Sequence, residues 1–167
     1  MNKRYIRMLR LLFVKSPMKR ADMMKHWGVF KSCGDRVMIT SRKIPLYSRL
    51  ISIGNNVWIA SNVEMITHDV AHFMLNGMKI WDKKFKEKVG CISIGNNVII
   101  GSSSLVNKDI EDNSVYAGVP ARKIGDFEEF VEKRKENNPK VRVDNASSYI
   151  DSENEDLIWK IFEKSHK

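Results

Sequence analysis

A chain of 167 residues with 43% hydrophobic and 29% charged residues has the material for one sizeable core and the balance of a soluble globular protein. No apolar run approaches the roughly 18 residues a membrane helix needs, and Arg10 interrupts the one apolar stretch near the start, with no small-residue cleavage site after it, so neither a span nor a signal peptide is expected. The net charge of +9 is concentrated: residues 1–31 hold nine basic residues against the single acid Asp22, leaving the rest nearly neutral, which argues against a general nucleic-acid binder.

Residues 2–14 are expected to form an amphipathic helix, with Lys3, Arg7 and Arg10 on one face and Tyr5, Ile6, Leu9, Leu12 and Phe13 around another. Packing of the apolar face on the end of the protein's body is the plain role for it; weak association with an anionic membrane surface, or recruitment of a phosphate-linked glycan precursor, is the other. Ser16-Pro17 then reads as a cap and first turn, and Gly28 as a stop, for a second helix over 17–27. Residues 1–28 form an N-terminal helical segment on this reading.

From Cys33 the pattern changes. Ile51-Ser52-Ile53-Gly54-Asn55-Asn56-Val57 recurs identically as Ile92-Ser93-Ile94-Gly95-Asn96-Asn97-Val98. Around both copies the period is six: Ile53, Ile59 and Met65 share one phase, as do Ile94, Ile100 and Val106. Val57 and Val63, and Val98, Ser104 and Ile110, share the other. Such a period suits a triangular solenoid in which each hexad supplies a short strand and a corner, its aliphatic residue stacking inward on the coil below. Asn-Asn or Gly is expected where the corner enters left-handed backbone space. A β-sandwich would show a period of two.

The repeat occupies 29–125. Lys43 to Arg49 disturb its phase and are expected to bulge, and Asp69 to Gly90 are too long for a corner and are expected as an extruded loop. A C-terminal helical tail covers 126–167. Asp126-x-x-Glu129 caps a helix broken at Asn137-Asn138-Pro139, and Ser152-x-x-Glu155 caps another that packs through Leu157, Ile158, Ile161 and Phe162. Cys33 and Cys91 lack metal spacing and cannot build a disulfide framework, so both are expected as core thiols in a reducing cytoplasm.

The segments Ile53 to Asn62, Thr67-His68-Asp69 and Val119-Pro120-Ala121-Arg122-Lys123 resemble the hexapeptide-repeat acetyltransferases, in particular the branch of galactoside, maltose and capsular-polysaccharide O-acetyltransferases. The resemblance covers about residues 15–125. It implies a left-handed parallel β-helix flanked by helices, a homotrimer with active sites between subunits, acetyl-CoA as co-substrate, and a sugar or glycan hydroxyl as acceptor. One departure is that Gly101-Ser102 runs straight to Ser104 where the family usually has a further full coil.

Acyl transfer from a thioester needs a base, an oxyanion donor and a groove for the pantetheine arm. By family position His68 is the base, since imidazole titrates near neutrality and can take a proton and return it. Asp69 either fixes the His68 tautomer or turns the chain. His72 and Trp81, in the loop that shapes the acceptor pocket, and Asn62, at a corner, are the acceptor contacts; each also has an ordinary place as a loop or corner residue. Ser102, Ala117, Gly118, Arg122 and Lys123 are assigned to the donor, the last two beside its phosphates, although a basic pair also suits a solvated face. A zinc site like that of γ-type carbonic anhydrases needs three ligands, and only His68 and His72 are central, so no metal is expected. N-acetylation of an amino sugar, or acetylation of an antibiotic, is the alternative within the acyltransferases, and a non-catalytic trimeric scaffold lies outside them.

Overall fold

The computed structural model describes residues 3–78, 81–136, 150 and 152–165. The chain divides into two compact units, residues 1–130 and 131–167. Among the described residues no helix is long and apolar enough to cross a membrane.

Helices α1 (Lys3–Leu12) and α2 (Pro17–His26) open the first unit. Ser16 Oγ accepts from the Lys19 amide at 3.3 Å, Pro17 starts the first turn, and Gly28 leaves with φ 59°, so the caps read from sequence are the ones used. The packed face of α1 differs from the expected one. Leu11 is buried and Met8 packs on the core, whereas Tyr5, Leu9, Leu12 and Phe13 are exposed. Arg4 and Arg7 turn inward with Leu11: Arg4 Nε donates to the Ile44 carbonyl at 2.8 Å, and Arg7 Nη2 to that of Trp27 at 2.9 Å. Carbonyl acceptors at the helix docking site thus make the side with fewer apolar residues the one that packs.

The body is mainly β, built of short strands in several small sheets. Its first pass contributes β1 (Ser32–Cys33) and β2 (Met38–Ile39). An irregular stretch with a 3-10 turn at Ser48–Leu50 follows, where the bulge was expected. The second pass holds β3 (Ile51–Ile53), β4 (Val57–Ile59) and β5 (Glu64–Met65). An insertion with β6 (His68–Asp69), α3 (Ala71–Gly77) and β7 (Lys88–Val89) precedes the third, which supplies β8 (Ile92–Ile94), β9 (Val98–Ile100) and β10 (Leu105–Val106). β11 (Ser114–Ala117) and the antiparallel return β12 (Arg122–Asp126) complete it.

Three parallel sheets result: β1-β3-β8, β2-β4-β9-β11 and β5-β10. The second and third passes visit them in the same order, and the first supplies strands to the first two. Their registers stack the six-residue phases into columns: Ile53 on Ile94 with Ile110 bridged next, Val57 on Val98 on Ser114, Ile59 on Ile100, and Met65 on Val106. All of these side chains are buried, each apolar one contributing about 1.5–3 kcal/mol relative to exposure.

The Gly-Asn-Asn corners divide their tasks in a way the sequence alone does not reveal. The second Asn takes the left-handed conformation, Asn56 and Asn97 both at φ 54°, and their amides bond onward, Asn56 Nδ2 to Asn97 Oδ1 at 2.9 Å and Asn97 Nδ2 to Asn113 Oδ1 at 2.8 Å. The first Asn reaches back one coil: Asn96 Oδ1 accepts from the Asn55 amide at 2.9 Å. Glycine serves close approach, since a Cβ on Gly95 would fall 2.6 Å from the Asp112 backbone nitrogen.

After β12 comes α4 (Phe127–Glu136). Asp126, expected as its cap, ends β12 with its carboxylate 2.7 Å from Lys123 Nζ. The second unit contains α5 (Ser152–Ser165), in which Trp159 and Phe162 meet edge to face at 5.7 Å. Leu157, Ile158, Ile161 and Phe162 are exposed, contrary to the packed side expected for them. The expected break at Asn137-Asn138-Pro139 lies outside the described residues.

Candidate active site

The insertion after the second pass is an extruded ribbon. Thr67 is buried, its carbonyl accepts from the Gly90 amide at 2.7 Å, and β6 pairs antiparallel with β7, His68 opposite Val89 and Asp69 opposite Lys88. The ribbon carries α3, which is too short to leave a readable period in a basic loop. Asn76 ties α3 to the returning chain, its Oδ1 accepting from the Phe85 amide at 2.8 Å and its Nδ2 donating to the Phe85 carbonyl at 3.0 Å.

His68 sits at the base of this ribbon and lines a cavity of about 340 Å³ with Asp69, Lys88, Cys91, Leu105 and Asn107. It also borders a 200 Å³ cavity that reaches between Met24, Ile44 and Met65. His68 Nδ1 is buried and has no hydrogen-bond partner among the described residues. The ring is braced by Tyr47, whose own ring meets it edge-on at 5.0 Å and 88°.

Tyr47 belongs to the bulge and was not among the residues singled out from sequence. Its backbone lies in left-handed space at φ 52°, an uncommon conformation for a bulky side chain and a form of strain that collects at functional sites. Its hydroxyl donates to Glu87 Oε1 at 3.2 Å, and this bond, with the charge of the carboxylate, pushes the phenol pKa up. Tyr47 therefore joins bulge to insertion across His68. The only sequence signal for it is the broken repeat around it.

Of the roles open to Asp69, the structure uses the turn. Its Oδ1 accepts from the Ala71 amide at 3.1 Å and so starts α3, and it does not partner His68 Nδ1. His72 lies on α3, its Nδ1 likewise buried without a partner, and Trp81 leans on Phe85 at 5.0 Å. Asn62 is an exposed corner residue at φ 58°. None of these three lines the His68 cavity within one chain. Cys91, expected in the core, is exposed in that cavity: strand alternation sends Ile92 and Ile94 inward, so Cys91 faces out. Cys33 is half-buried, and burial pushes its thiol pKa up, as befits a packed thiol.

A third cavity, of 430 Å³, is bounded by Val106, Asn107, Tyr116, Ala121, Arg122 and Lys123. Asn107 lines this cavity and the His68 cavity, so the two adjoin. Ala117 ends β11, and Gly118 follows at φ 100°, its amide donating to Ser104 Oγ at 3.2 Å; neither residue lines either cavity, and both follow Tyr116, which does. Ser102 is exposed on the corner next to Ser103 and lines neither cavity. Lys123 is already engaged, with Nζ 2.7 Å from Asp126 and 2.9 Å from Glu111. Bonds first to Asp126 and then to Glu111 hold its pKa well above the usual lysine range. Arg122 donates only to the Ala121 carbonyl, at 3.0 Å, among its described bonds, which leaves it the better placed of the pair for an anion. Among the described residues no group of three or more His, Cys, Asp or Glu could hold a metal ion.

No protein-family model matches the sequence. The chain is 37% identical to Protein CapG of Staphylococcus aureus over 108 aligned positions, covering 53% of this chain and 59% of that protein. It is 39% identical to the galactoside O-acetyltransferase of Escherichia coli (strain K12) over 79, covering 47% of this chain and 28% of that one. The chain thus spans less than two thirds of either curated relative. A solved maltose O-acetyltransferase from Clostridium difficile 630 superposes with a TM-score of 0.38 and 22% identity over 73% of this chain and 83% of that chain, a likeness too slight to bear on chemistry. The resemblance carried by the sequence motifs is matched by these relatives.

Proposed function

We propose that this protein is an acetyl-CoA-dependent O-acetyltransferase acting on a hydroxyl of a sugar or polysaccharide precursor, with His68 as general base. The observation that carries the reading is a pair of cavities, one lined by His68 and the other by Ala121 and Arg122, that share Asn107 as a lining residue. The cyclic visiting of three parallel sheets supports a left-handed β-helix of hexapeptide repeats over 29–125, flanked by helical segments 1–28 and 126–167.

The chemistry is direct transfer in a ternary complex. With Nδ1 buried, Nε2 is the nitrogen left to meet the substrates. It takes the proton of the acceptor hydroxyl as that oxygen attacks the thioester carbonyl carbon. The tetrahedral intermediate then expels the CoA thiolate by breaking the C–S bond, and the imidazolium returns its proton to the sulfur. The products are an acetyl ester and CoA. Ala117, Gly118 and Ala121 permit close approach of the pantetheine arm, and Arg122 meets the donor phosphates.

Asn62, His72 and Trp81, which do not line the His68 cavity within one chain, are proposed to meet the acceptor from neighbouring subunits of a homotrimer. Light scattering at micromolar concentration is expected to give three times the chain mass, and calorimetry to show CoA binding. A stable monomer that does not bind CoA overturns the reading.

Tyr47 is proposed to hold the His68 ring on line. Tyr47→Ala is expected to lower kcat by roughly 10- to 100-fold, the cost of a misplaced catalytic group, with KM for acetyl-CoA little changed. Tyr47→Phe keeps the ring contact and most of the activity. Equal losses in both variants would assign the effect to the Glu87 bond instead.

A further inference from the structure

From the outward face of α1 we infer that the protein docks on an anionic lipid surface through this helix. The helix is anchored from one side only, by buried Leu11 and by Arg4 and Arg7, the latter with its guanidinium 5.7 Å over the Trp27 ring. Tyr5, Leu9 and Leu12 recur at the spacing of one helical stripe, and Phe13 continues it. Their relative exposures are 56%, 53%, 57% and 82%, so the stripe faces away from the core.

Cations edge this stripe. Lys3 and Arg10 are exposed on α1, and Lys15 and Lys19 are exposed just beyond it. The sequence has no acidic residue before Asp22, and that one exposed carboxylate, which lines a cavity with Phe13, Lys15 and Lys19, is outnumbered by the four cations. An apolar stripe with basic flanks is the form in which a helix lies in a lipid interface, its apolar side among the acyl chains and its cations at the headgroups. Other occupants satisfy only half of the surface. A nucleic acid would pair the cations and leave four large apolar side chains in water. A second copy would cover the apolar stripe and set like charge against like. The inference rests on α1 and stands apart from the acetyl-transfer reading.

The test is cosedimentation of the full chain with vesicles of phosphatidylcholine, with and without phosphatidylglycerol, at low and high salt. The expected result is salt-sensitive binding to the anionic vesicles, weaker by at least about tenfold for neutral vesicles and for a Leu9→Asp/Phe13→Asp variant that keeps the wild-type melting temperature. Lys15→Glu/Lys19→Glu should weaken it as well. The inference is overturned by absence of binding to anionic vesicles at low salt, or by binding that the Leu9→Asp/Phe13→Asp change leaves intact. It is overturned equally if that change lowers the mass in solution, which would mean that another copy covers the stripe, or if duplex DNA binds as tightly as the vesicles. CoA binding and turnover are not read in this experiment, so its failure and that of the acetyl-transfer reading remain separable.

Discussion

His68→Ala is expected to lower kcat by roughly 10²- to 10⁴-fold, the usual contribution of a positioned acid–base group. CoA affinity and oligomeric state should stay near wild type, because the cavity bounded by Ala121 and Arg122 does not include His68. Steady-state kinetics with a proven acceptor and a CoA titration separate these effects. Cys91→Ala is the control that matters most, since that thiol is exposed in the same cavity. In the ternary mechanism the thiol carries no acetyl group, and the Cys91→Ala enzyme should turn over. If His68→Ala retains turnover, the base lies elsewhere.

The largest effect on stability is expected at Arg20. Its side chain is almost fully buried and donates to four carbonyls: Val14 at 2.7 Å, Lys15 at 2.8 Å, Thr40 at 2.9 Å and Ile39 at 3.1 Å. The guanidinium thereby ties the end of α1, the start of α2 and the end of β2 into one joint. Burial pulls its pKa below the usual arginine range, with the charge of Arg42 adding to the shift. Arg20→Ala leaves those acceptors without their donor and is expected to cost about 3–5 kcal/mol. Arg20→Lys should recover only part of this, because an ammonium cannot reproduce the planar fork. Urea unfolding at fixed protein concentration checks both, the midpoint falling with the slope unchanged.

The repeat body was legible because its period is set by stacking. Each inward residue at Ile53, Ile59, Ile94 or Ile100 must meet its equivalent in the next coil, so the rule is written at a constant interval. The α2 caps were legible for a similar reason, since Ser16, Pro17 and Gly28 act on backbone groups a few residues away. What stayed hidden depends on partners distant in sequence. The amphipathic pattern of residues 2–14 indicates two faces without saying which one docks, and the choice turns on the Ile44 and Trp27 carbonyls. Arg20 is indistinguishable in sequence from the solvated cations around it. Lys123 matches a phosphate-side position, yet its engagement by Glu111 and Asp126 follows from the antiparallel return of β12. The motif points to His68 as a candidate base, whereas Tyr47, whose ring meets it, lies in a stretch with no pattern at all.

Whether the protein moves acetyl groups to a hydroxyl is decided by turnover of acetyl-CoA in the presence of a panel of sugars and glycan-repeat fragments. CoA release is expected only with a hydroxyl-bearing acceptor, in amounts equal to a new acetyl ester that mild alkali removes, and is nearly lost in His68→Ala. No CoA release with any acceptor by a protein that also fails to bind CoA, or a product that survives alkali as an amide does, would contradict acetyl transfer to a hydroxyl.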